Sequence, residues 1–494
     1  MTSTPDVAAS GTSTVVQKPI KQLAVTVLTQ LLSWVFAMIV TFVLPRYRTV
    51  PEFAIFSVMF GYTNLVNSIG DNGISALVSR SISISPDRTW GLLKAASIIK
   101  IAVSLAAAGV FAVMFKVIHY DAVTSKFVVY GILCSTVNQI GSVCKDAIRG
   151  FGRVSSSSLL QLLERGIATA LTVTLAVTEQ PLHMFVWVPV LFDICTGLFS
   201  LSRLKKLTSG TLQATPDLRS EIKFLMSQFL IMSSGFVIIQ AKDPISLTLM
   251  EYWGNADAIG GFSVMKRMLG SAMFLPVAVA QLGLPLMTRA FSISQGAFER
   301  QTRALMQSSL LIGFPLMTGF FFHSKQVLSA VGLYPKFIYG PVTMMVGAPM
   351  VVLLYVAMIL VNAIIACGRQ KQMVAGTLKV TVTIPFVSGI CIYLSNRWIN
   401  NAAVGAITSD LIAEVMLIAV YASVVRAGVL TKELTRNLGI CVALCIPIGL
   451  AGMLPLGALW FVATIAALGF YAGVLYKMGL LHKQMLEVGE ESIR

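Results

Sequence analysis

Charged residues are scarce in this 494-residue chain. Asp, Glu, Lys and Arg make up 12% of the sequence, and hydrophobic residues make up 56%. An ordinary soluble domain carries about 25% charged residues, which it needs to cover its surface. The composition therefore excludes a soluble enzyme and a disordered chain, and it leaves a polytopic membrane protein.

Cysteine and histidine are too few and too scattered to predict a metal or redox centre. The seven cysteines lie in or next to apolar stretches, their number is odd, and none forms a CxxC pair. The four histidines are far apart in the sequence. We therefore expect neither a disulfide framework nor a zinc site, and the sequence predicts no cofactor.

The sequence contains many long apolar runs. The alternating pattern of membrane β-strands is absent, so the runs indicate helices, whose backbone groups are satisfied internally. We predict an all-α polytopic membrane protein with about fourteen spans. The predicted spans are 23–43, 53–76, 92–115, 127–147, 156–178, 184–202, 224–249, 258–280, 304–322, 338–366, 373–394, 404–425, 437–453 and 456–476.

The positions of the basic residues predict the orientation. Most of the 37 Lys and Arg residues fall on one side when both termini are placed in the cytoplasm, as the positive-inside rule requires. This distribution accounts for the net charge of +16 without nucleic acid. Residues 1–16 are rich in Ser, Thr and Ala and are predicted to form a disordered tail. The first apolar run is too long for a cleaved signal peptide.

Two short repeats divide the chain into two blocks. The word Phe-Ser-Val-Met at Phe56 recurs at Phe262, and Gly-Arg at Gly152 recurs at Gly368. These words fall at equivalent points of two six-span blocks, which predicts parallel repeats around a central cavity. The predicted units are a first six-helix bundle at 17–210, a second at 218–427, and spans 13 and 14 with a cytoplasmic tail at 428–494.

Four stretches resemble bacterial polysaccharide transporters of the O-antigen flippase type, in the multidrug/oligosaccharidyl-lipid/polysaccharide (MOP) exporter superfamily. They are residues 69–80 with Gly-Asp-Asn-Gly, 148–164 with Arg-Gly-Phe-Gly-Arg, 252–289 ending in Leu-Gly-Leu-Pro-Leu-Met-Thr-Arg, and 362–407 with Gly-Arg-Gln. One departure is Asn72, which stands where the family usually has an aromatic residue after the acid of span 2.

The resemblance implies a MATE-like fold and a flippase without enzyme activity. Its expected substrate is a polyprenyl-pyrophosphate-linked oligosaccharide, moved across the bacterial inner membrane by alternating access for cell-surface polysaccharide synthesis. The implied partners are this lipid-linked glycan, membrane lipids, and the polysaccharide polymerase and chain-length machinery. The alternatives are a cation-coupled multidrug exporter of the same fold, although span 1 lacks the acid such exporters usually hold, and a membrane glycan polymerase.

Basic residues inside the spans are the candidates for binding a pyrophosphate, because charge in the hydrocarbon core is costly and is retained for a purpose. Lys266 and Arg267 in span 8 are the strongest, and an arginine adds a bidentate fork. The alternative is that both pair with acids. The remaining candidates are Lys242, which could instead snorkel to the outer interface, Arg165, whose neighbour Glu164 suggests a structural pair, and Lys100, which could snorkel inward.

Acids inside the spans are the candidates for ion or proton coupling. Asp243 precedes Pro244 in span 7, and Asp71 could relay a proton or cap the end of span 2. Asp410 and Glu414 lie four residues apart on one face of span 12. These two could share a proton, or they could pair with Lys379 in span 11.

Overall fold

A computed structural model describes residues 18–117, 121–151, 154–209, 217–240, 242–425, 432–454 and 459–478. Within these ranges the chain forms nineteen α-helices and no β-strand, so the predicted all-α class is confirmed. The predicted disordered tail at 1–16 lies outside the described residues.

The helices follow the predicted spans closely. The first half is α1 (Lys18–Tyr47), α2 (Val50–Ile84), α3 (Thr89–Val117), α4 (Ala122–Gly150), α5 (Val154–Val177) and α6 (Leu182–Thr208). The second half is α7 (Leu218–Gln240), α8 (Lys242–Trp253), α9 (Ala256–Ala272), α10 (Phe274–Ile293), α11 (Gln295–Phe322), α12 (Ser324–Ala330), α13 (Gly340–Gly347), α14 (Pro349–Ala366), α15 (Gln370–Ile399) and α16 (Ala402–Val425). The C-terminal helices are α17 (Lys432–Leu444), α18 (Ile446–Met453) and α19 (Trp460–Lys477).

Ten helical segments of the described chain are long and apolar enough to cross a membrane, which makes the protein a multi-pass membrane protein. Spans 8, 10 and 13 of the predicted set are each built from two shorter helices separated by one residue. Span 7 is covered by α7 and α8, and residue 241 between them lies outside the described residues. The total of fourteen spans and the cytoplasmic termini stay predictions, as do the boundaries of the three predicted units.

Prolines lie at the start of the second helix in each split span. Pro349 occupies the first turn of α14, and Pro447 occupies the first turn of α18. Pro276 lies at the third residue of α10. A proline lacks the backbone N–H group and fits the first turn of a helix, where no partner within the helix exists for that group. The sequence therefore breaks these spans at defined points.

Helix α2 joins the two halves. It packs against α3 and α4 in the first half and against α7, α8 and α9 in the second. The largest apolar core runs across this junction, with Phe53 and Val58 of α2 beside Phe262 and Met265 of α9. Phe53 also meets Phe337, which follows α12, with ring centroids 5.4 Å apart. The halves thus share a core near the start of α2, which lies on the predicted outer side.

Candidate functional site

A cavity of about 790 Å³ lies between the two halves. Residues of α1, α2 and α5 form one side, and residues of α7, α8 and α9, with Met273 directly after α9, form the other. Most of the wall is apolar or uncharged. Four charged residues line it, namely Arg165, Asp243, Lys266 and Arg267. The cavity lining therefore holds three basic groups and one acidic group.

The local sequence explains how the second half presents these groups. Asp243 lies on α8, next to Pro244, and lines the cavity. Helix α9 begins after Asn255, whose side chain accepts a hydrogen bond from the backbone N–H of Ala258 at 2.8 Å. Lys266 and Arg267 then lie in the central part of α9, which packs against α2, and both line the cavity.

Lys266 is bound by two carboxylates. Its Nζ lies 2.8 Å from Oδ1 of Asp243 on α8 and 2.9 Å from Oδ2 of Asp410 on α16. The Asp410 side chain is only 1% exposed, whereas the Asp243 side chain is 36% exposed toward the cavity. The expected cavity position of Lys266 is found, and so is the alternative that it pairs with acids. Its charge is neutralised by one carboxylate that lines the cavity, Asp243, and by one that is buried behind it, Asp410.

Arg267 has a different environment. Its guanidinium carbon lies 5.4, 5.5 and 5.2 Å from the ring centroids of Phe53, Phe56 and Phe60, all on α2. No carboxylate of the described residues lies within 4.0 Å of it. The ring faces stabilise the cation by cation–π attraction. They do not use its N–H donors, which stay available to an anion in the cavity.

Arg165 contributes the second cation without an acidic partner in the described residues. It lies on α5, across the cavity from α9, and its side chain is exposed there. Its sequence neighbour Glu164 points elsewhere and accepts a hydrogen bond from Nζ of Lys145 at 2.7 Å. The expected structural pair therefore forms between Glu164 and Lys145, and Arg165 is left at the cavity.

Lys242 does not belong to the cavity lining. Its Nζ donates a hydrogen bond to Oε2 of Glu414 on α16 at 3.2 Å, and both side chains are buried. Lys242 therefore neither joins a cationic cavity site nor snorkels to the outer interface. A buried lysine with a buried carboxylate is the arrangement that limits the cost of desolvating both charges.

The structure also separates Asp410 from Glu414. Each binds a different lysine, Lys266 and Lys242 respectively, so the two acids do not share a proton with each other as their spacing suggested. Lys379 is exposed on α15 and has no acid of the described chain within 4.0 Å. The expected pairing of Lys379 with either acid is therefore wrong.

The last two candidates are Lys100 and Asp71, and neither is among the described residues that line the cavity. Lys100 is fully buried in the first half, where Nζ donates hydrogen bonds to Ser75 Oγ at 3.3 Å and Ser142 Oγ at 2.8 Å. It neither lines the cavity nor snorkels inward. The side chain of Asp71 lies outside the described residues, so its predicted coupling role stays a prediction.

A second, smaller cavity of about 300 Å³ lies within the first half, between α1, α2, α4, α5 and α6. Its wall includes Asn64, Asn138 and Asp193. Asn138 Nδ2 donates a hydrogen bond to Asp193 Oδ1 at 2.8 Å. The charged network behind it, with Lys145 and Glu164, is buried and satisfied internally, which is typical of a structural element.

Sequence reasoning missed the aromatic surroundings of Arg267. Phe53, Phe56 and Phe60 follow one another at intervals of three and four residues, which places them on one face of α2. That spacing was visible in the sequence. Nothing in the sequence, however, indicated that this face would meet α9 rather than lipid.

Comparisons with known proteins give matches in structure alone. No family model matches the chain, and no curated protein matches it in sequence. The lipid II flippase MurJ in an inward closed conformation matches with a TM-score of 0.69 and 10% identity, over 94% of this chain and 100% of that one. An inward-facing multidrug resistance MATE family transporter of the MOP superfamily matches with a TM-score of 0.58 and 12% identity, over 84% and 99%.

A third match is a MOP superfamily transporter from Pyrococcus furiosus, whose structure is described by the reverse polarity of its binding pocket. It has a TM-score of 0.56 and 12% identity, over 84% of this chain and 96% of that one. The expected MATE-like architecture is confirmed by all three matches. This chain has the fold of the MOP superfamily, shared by MATE transporters and the MurJ flippase.

Proposed function

We propose that the protein is a flippase for a polyprenyl-pyrophosphate-linked oligosaccharide in the bacterial inner membrane. The pyrophosphate binds in the 790 Å³ cavity, and the polyprenyl tail stays in lipid. Rocking of the two halves exposes the cavity to one side of the membrane and then to the other. No covalent step is involved, and the exported glycan then serves synthesis of a cell-surface polysaccharide.

The observation that supports this proposal is that the basic residues of the cavity differ in whether a carboxylate neutralises them. Arg267 and Arg165 face the cavity without an acidic partner in the described chain, whereas Lys266 is neutralised. Two guanidinium groups on opposite walls provide forked donors for the oxygens of a pyrophosphate. The uncharged remainder of the wall suits the sugar hydroxyls.

The same observation argues against export of cationic drugs. The one acid in the cavity lining, Asp243, is bound by Lys266 at 2.8 Å. Among the described residues of the lining, a cationic drug would meet two arginines without an acidic partner and no free carboxylate. The charges of this cavity therefore favour an anionic substrate over a cationic one.

A binding experiment tests the proposal. We expect the purified protein in detergent to bind farnesyl pyrophosphate and to bind neutral farnesol at least about tenfold more weakly, because charge-assisted hydrogen bonds are lost. Arg267→Met should remove the preference, and Lys379→Met, which deletes an exposed cation elsewhere, should keep it. Equal affinity for both prenyl probes, or preferential binding of the cation ethidium, would contradict the proposal.

In cells, the matching test replaces the chromosomal copy with each variant. The Arg165→Gln/Arg267→Gln variant should insert in the membrane and abolish surface glycan, whereas Lys379→Met should leave it unchanged. Normal glycan output from the double variant would rule out the assigned cavity.

A further inference from the structure

Three acids of α8 and α16, namely Asp243, Asp410 and Glu414, are bound by lysine ammonium groups. Asp243 and Asp410 share the ammonium of Lys266, at 2.8 and 2.9 Å. Glu414 accepts from Lys242, at 3.2 Å. Each contact joins different helices, since Lys242 and Asp243 belong to α8, Lys266 to α9, and the other two acids to α16. These acids are three of the four that the sequence offered as candidates for ion or proton coupling, and the side chain of the fourth, Asp71, lies outside the described residues.

We infer that the ammonium group of Lys266, which is covalently part of the chain, occupies a site between Asp243 and Asp410 that would otherwise bind an exchangeable metal cation. Two carboxylate oxygens within 3 Å of a single point form the kind of site that a small monovalent or divalent cation fills. Here the point is filled by a covalently attached ammonium, which donates up to three hydrogen bonds and cannot leave. The protein therefore needs no metal cation at this site to fold or to change conformation.

Burial supports this assignment. Asp410 is shielded from the cavity at 1% exposure, so its charge has to be compensated from within the protein. Lys266 is 21% exposed and lies between Asp410 and the cavity. An incoming cation would have to displace the lysine from both carboxylates. Among the described residues, no group of His, Cys, Asp and Glu is arranged to hold a metal ion.

The first half shows the same pattern. Glu164 of α5 holds the ammonium of Lys145 of α4 at 2.7 Å, and the lysine side chain is 4% exposed. Each half therefore holds at least one intramembrane acid whose charge a lysine from a neighbouring helix compensates. This arrangement is built into the sequence and does not depend on the ionic composition of the medium.

The test is a thermal unfolding measurement on the full-length protein purified in detergent. Melting temperatures are compared in choline, Na⁺, K⁺ and Li⁺ chloride at equal ionic strength. The buffer is alkaline, because at lower pH a proton shared between the two carboxylates could replace the cation. The wild type should melt at one temperature in all four salts. The measurement needs no substrate, so its result is independent of the proposed flippase function.

Removal of the ammonium should create an ion requirement. Lys266→Ala should melt below the wild type in choline, because Asp243 and Asp410 are left to repel each other. Its melting temperature should rise in a saturable manner with Na⁺ or Li⁺, since a ligand that binds only the folded state stabilises it by mass action. Lys379→Ala removes the same charge from an exposed position of α15 and should behave as the wild type in every salt.

Two outcomes would overturn the inference. One is saturable stabilisation of the wild type by any of the three metal cations relative to choline. The other is a purified Lys266→Ala variant that gives the same melting temperature in all four salts. If Lys266→Ala cannot be purified, Lys266→Ala/Asp410→Asn replaces it. That variant keeps one acid and should fold without a salt response, and a metal-specific stabilisation of it would also contradict the inference.

Discussion

Lys266 and Arg267 are adjacent on α9, yet only Lys266 has a carboxylate partner among the described residues. Lys266 is held by Asp243 and Asp410, and Arg267 lies among three phenylalanine rings of α2. Adjacent residues on a helix point about 100° apart, so the two side chains reach different neighbours. The pair therefore divides into one structural cation and one cation available to a ligand.

The first prediction concerns the cost of keeping Arg267 unpaired. Arg267→Met should preserve or raise the melting temperature, because a desolvated charge without an acidic partner is replaced by an apolar side chain among phenylalanines. The same variant should lose binding of farnesyl pyrophosphate by about 10- to 100-fold, equivalent to about 1.5–3 kcal/mol for charge-assisted hydrogen bonds. Thermal unfolding and probe binding on one preparation check both parts. A variant that loses stability and keeps binding would show that Arg267 is structural.

The second prediction concerns the shape of the cation. Arg267→Lys retains the charge but loses the planar fork and its stacking between the rings. We expect an affinity between those of the wild type and Arg267→Met, measured with the same pyrophosphate probe. Affinity of Arg267→Lys equal to that of the wild type would mean that only the charge matters and that the forked geometry is not used.

The third prediction concerns Phe60, which lies 5.2 Å from the guanidinium of Arg267 and lines the cavity. Phe60→Leu should weaken binding of the pyrophosphate probe by about 3- to 30-fold, because a cation–π contact of about 0.5–2 kcal/mol that orients the arginine is lost. Phe36→Leu is the control, since Phe36 lines the same cavity from α1 and makes no cation–π contact. An equal loss in both variants would indicate a nonspecific effect of cavity shape.

The fourth prediction concerns the ion pair that joins the two halves beside the start of α7. Arg88 donates from Nε and Nη2 to the two carboxylate oxygens of Glu221, at 2.8 and 2.7 Å, and its guanidinium lies over Phe224. If the halves rock apart at this predicted cytoplasmic end, the pair has to break. Glu221→Gln should therefore increase the labelling rate of a cysteine introduced in the cavity by a reagent added from the cytoplasmic side.

The matched control for that experiment is the pair Arg149–Asp146, with 3.0 Å between Nη1 and Oδ1. Both of its residues lie on α4, so it links no two moving parts. Asp146→Asn should leave the cysteine labelling unchanged. The charge exchange Arg88→Glu/Glu221→Arg should restore slow labelling. If its cysteine is labelled as fast as in Glu221→Gln, the ion pair does not hold the two halves together.

The fifth prediction concerns the buried pair of Lys242 and Glu414. Lys242→Met alone should destabilise the protein by about 3–5 kcal/mol, because it leaves a buried carboxylate without its cation. Lys242→Met/Glu414→Leu should return the melting temperature close to that of the wild type, since an apolar pair of similar size replaces both charges. Thermal unfolding in detergent measures both variants. A double variant as unstable as the single one would assign Glu414 another essential contact.

The sequence alone determined that the chain is a helical membrane protein, and each predicted span overlaps one helix or two consecutive helices. It also identified Lys266, Arg267 and Asp243 as candidates. These inferences succeed because the length of an apolar run and the cost of a charge within it are local properties that tertiary packing does not change. The prolines near the helix breaks, such as Pro276 and Pro349, are equally local signals.

Only the tertiary structure decided which charges are compensated. Lys266 and Asp410 are 144 residues apart in sequence, Lys242 and Glu414 are 172 apart, and Arg88 and Glu221 are 133 apart. Within each helix several faces were open to a charged side chain, so pairing, snorkelling and ligand binding all remained as alternatives at the level of the sequence. The choice depends on which helices pack side by side, and that packing leaves Arg267 and Arg165 facing the cavity.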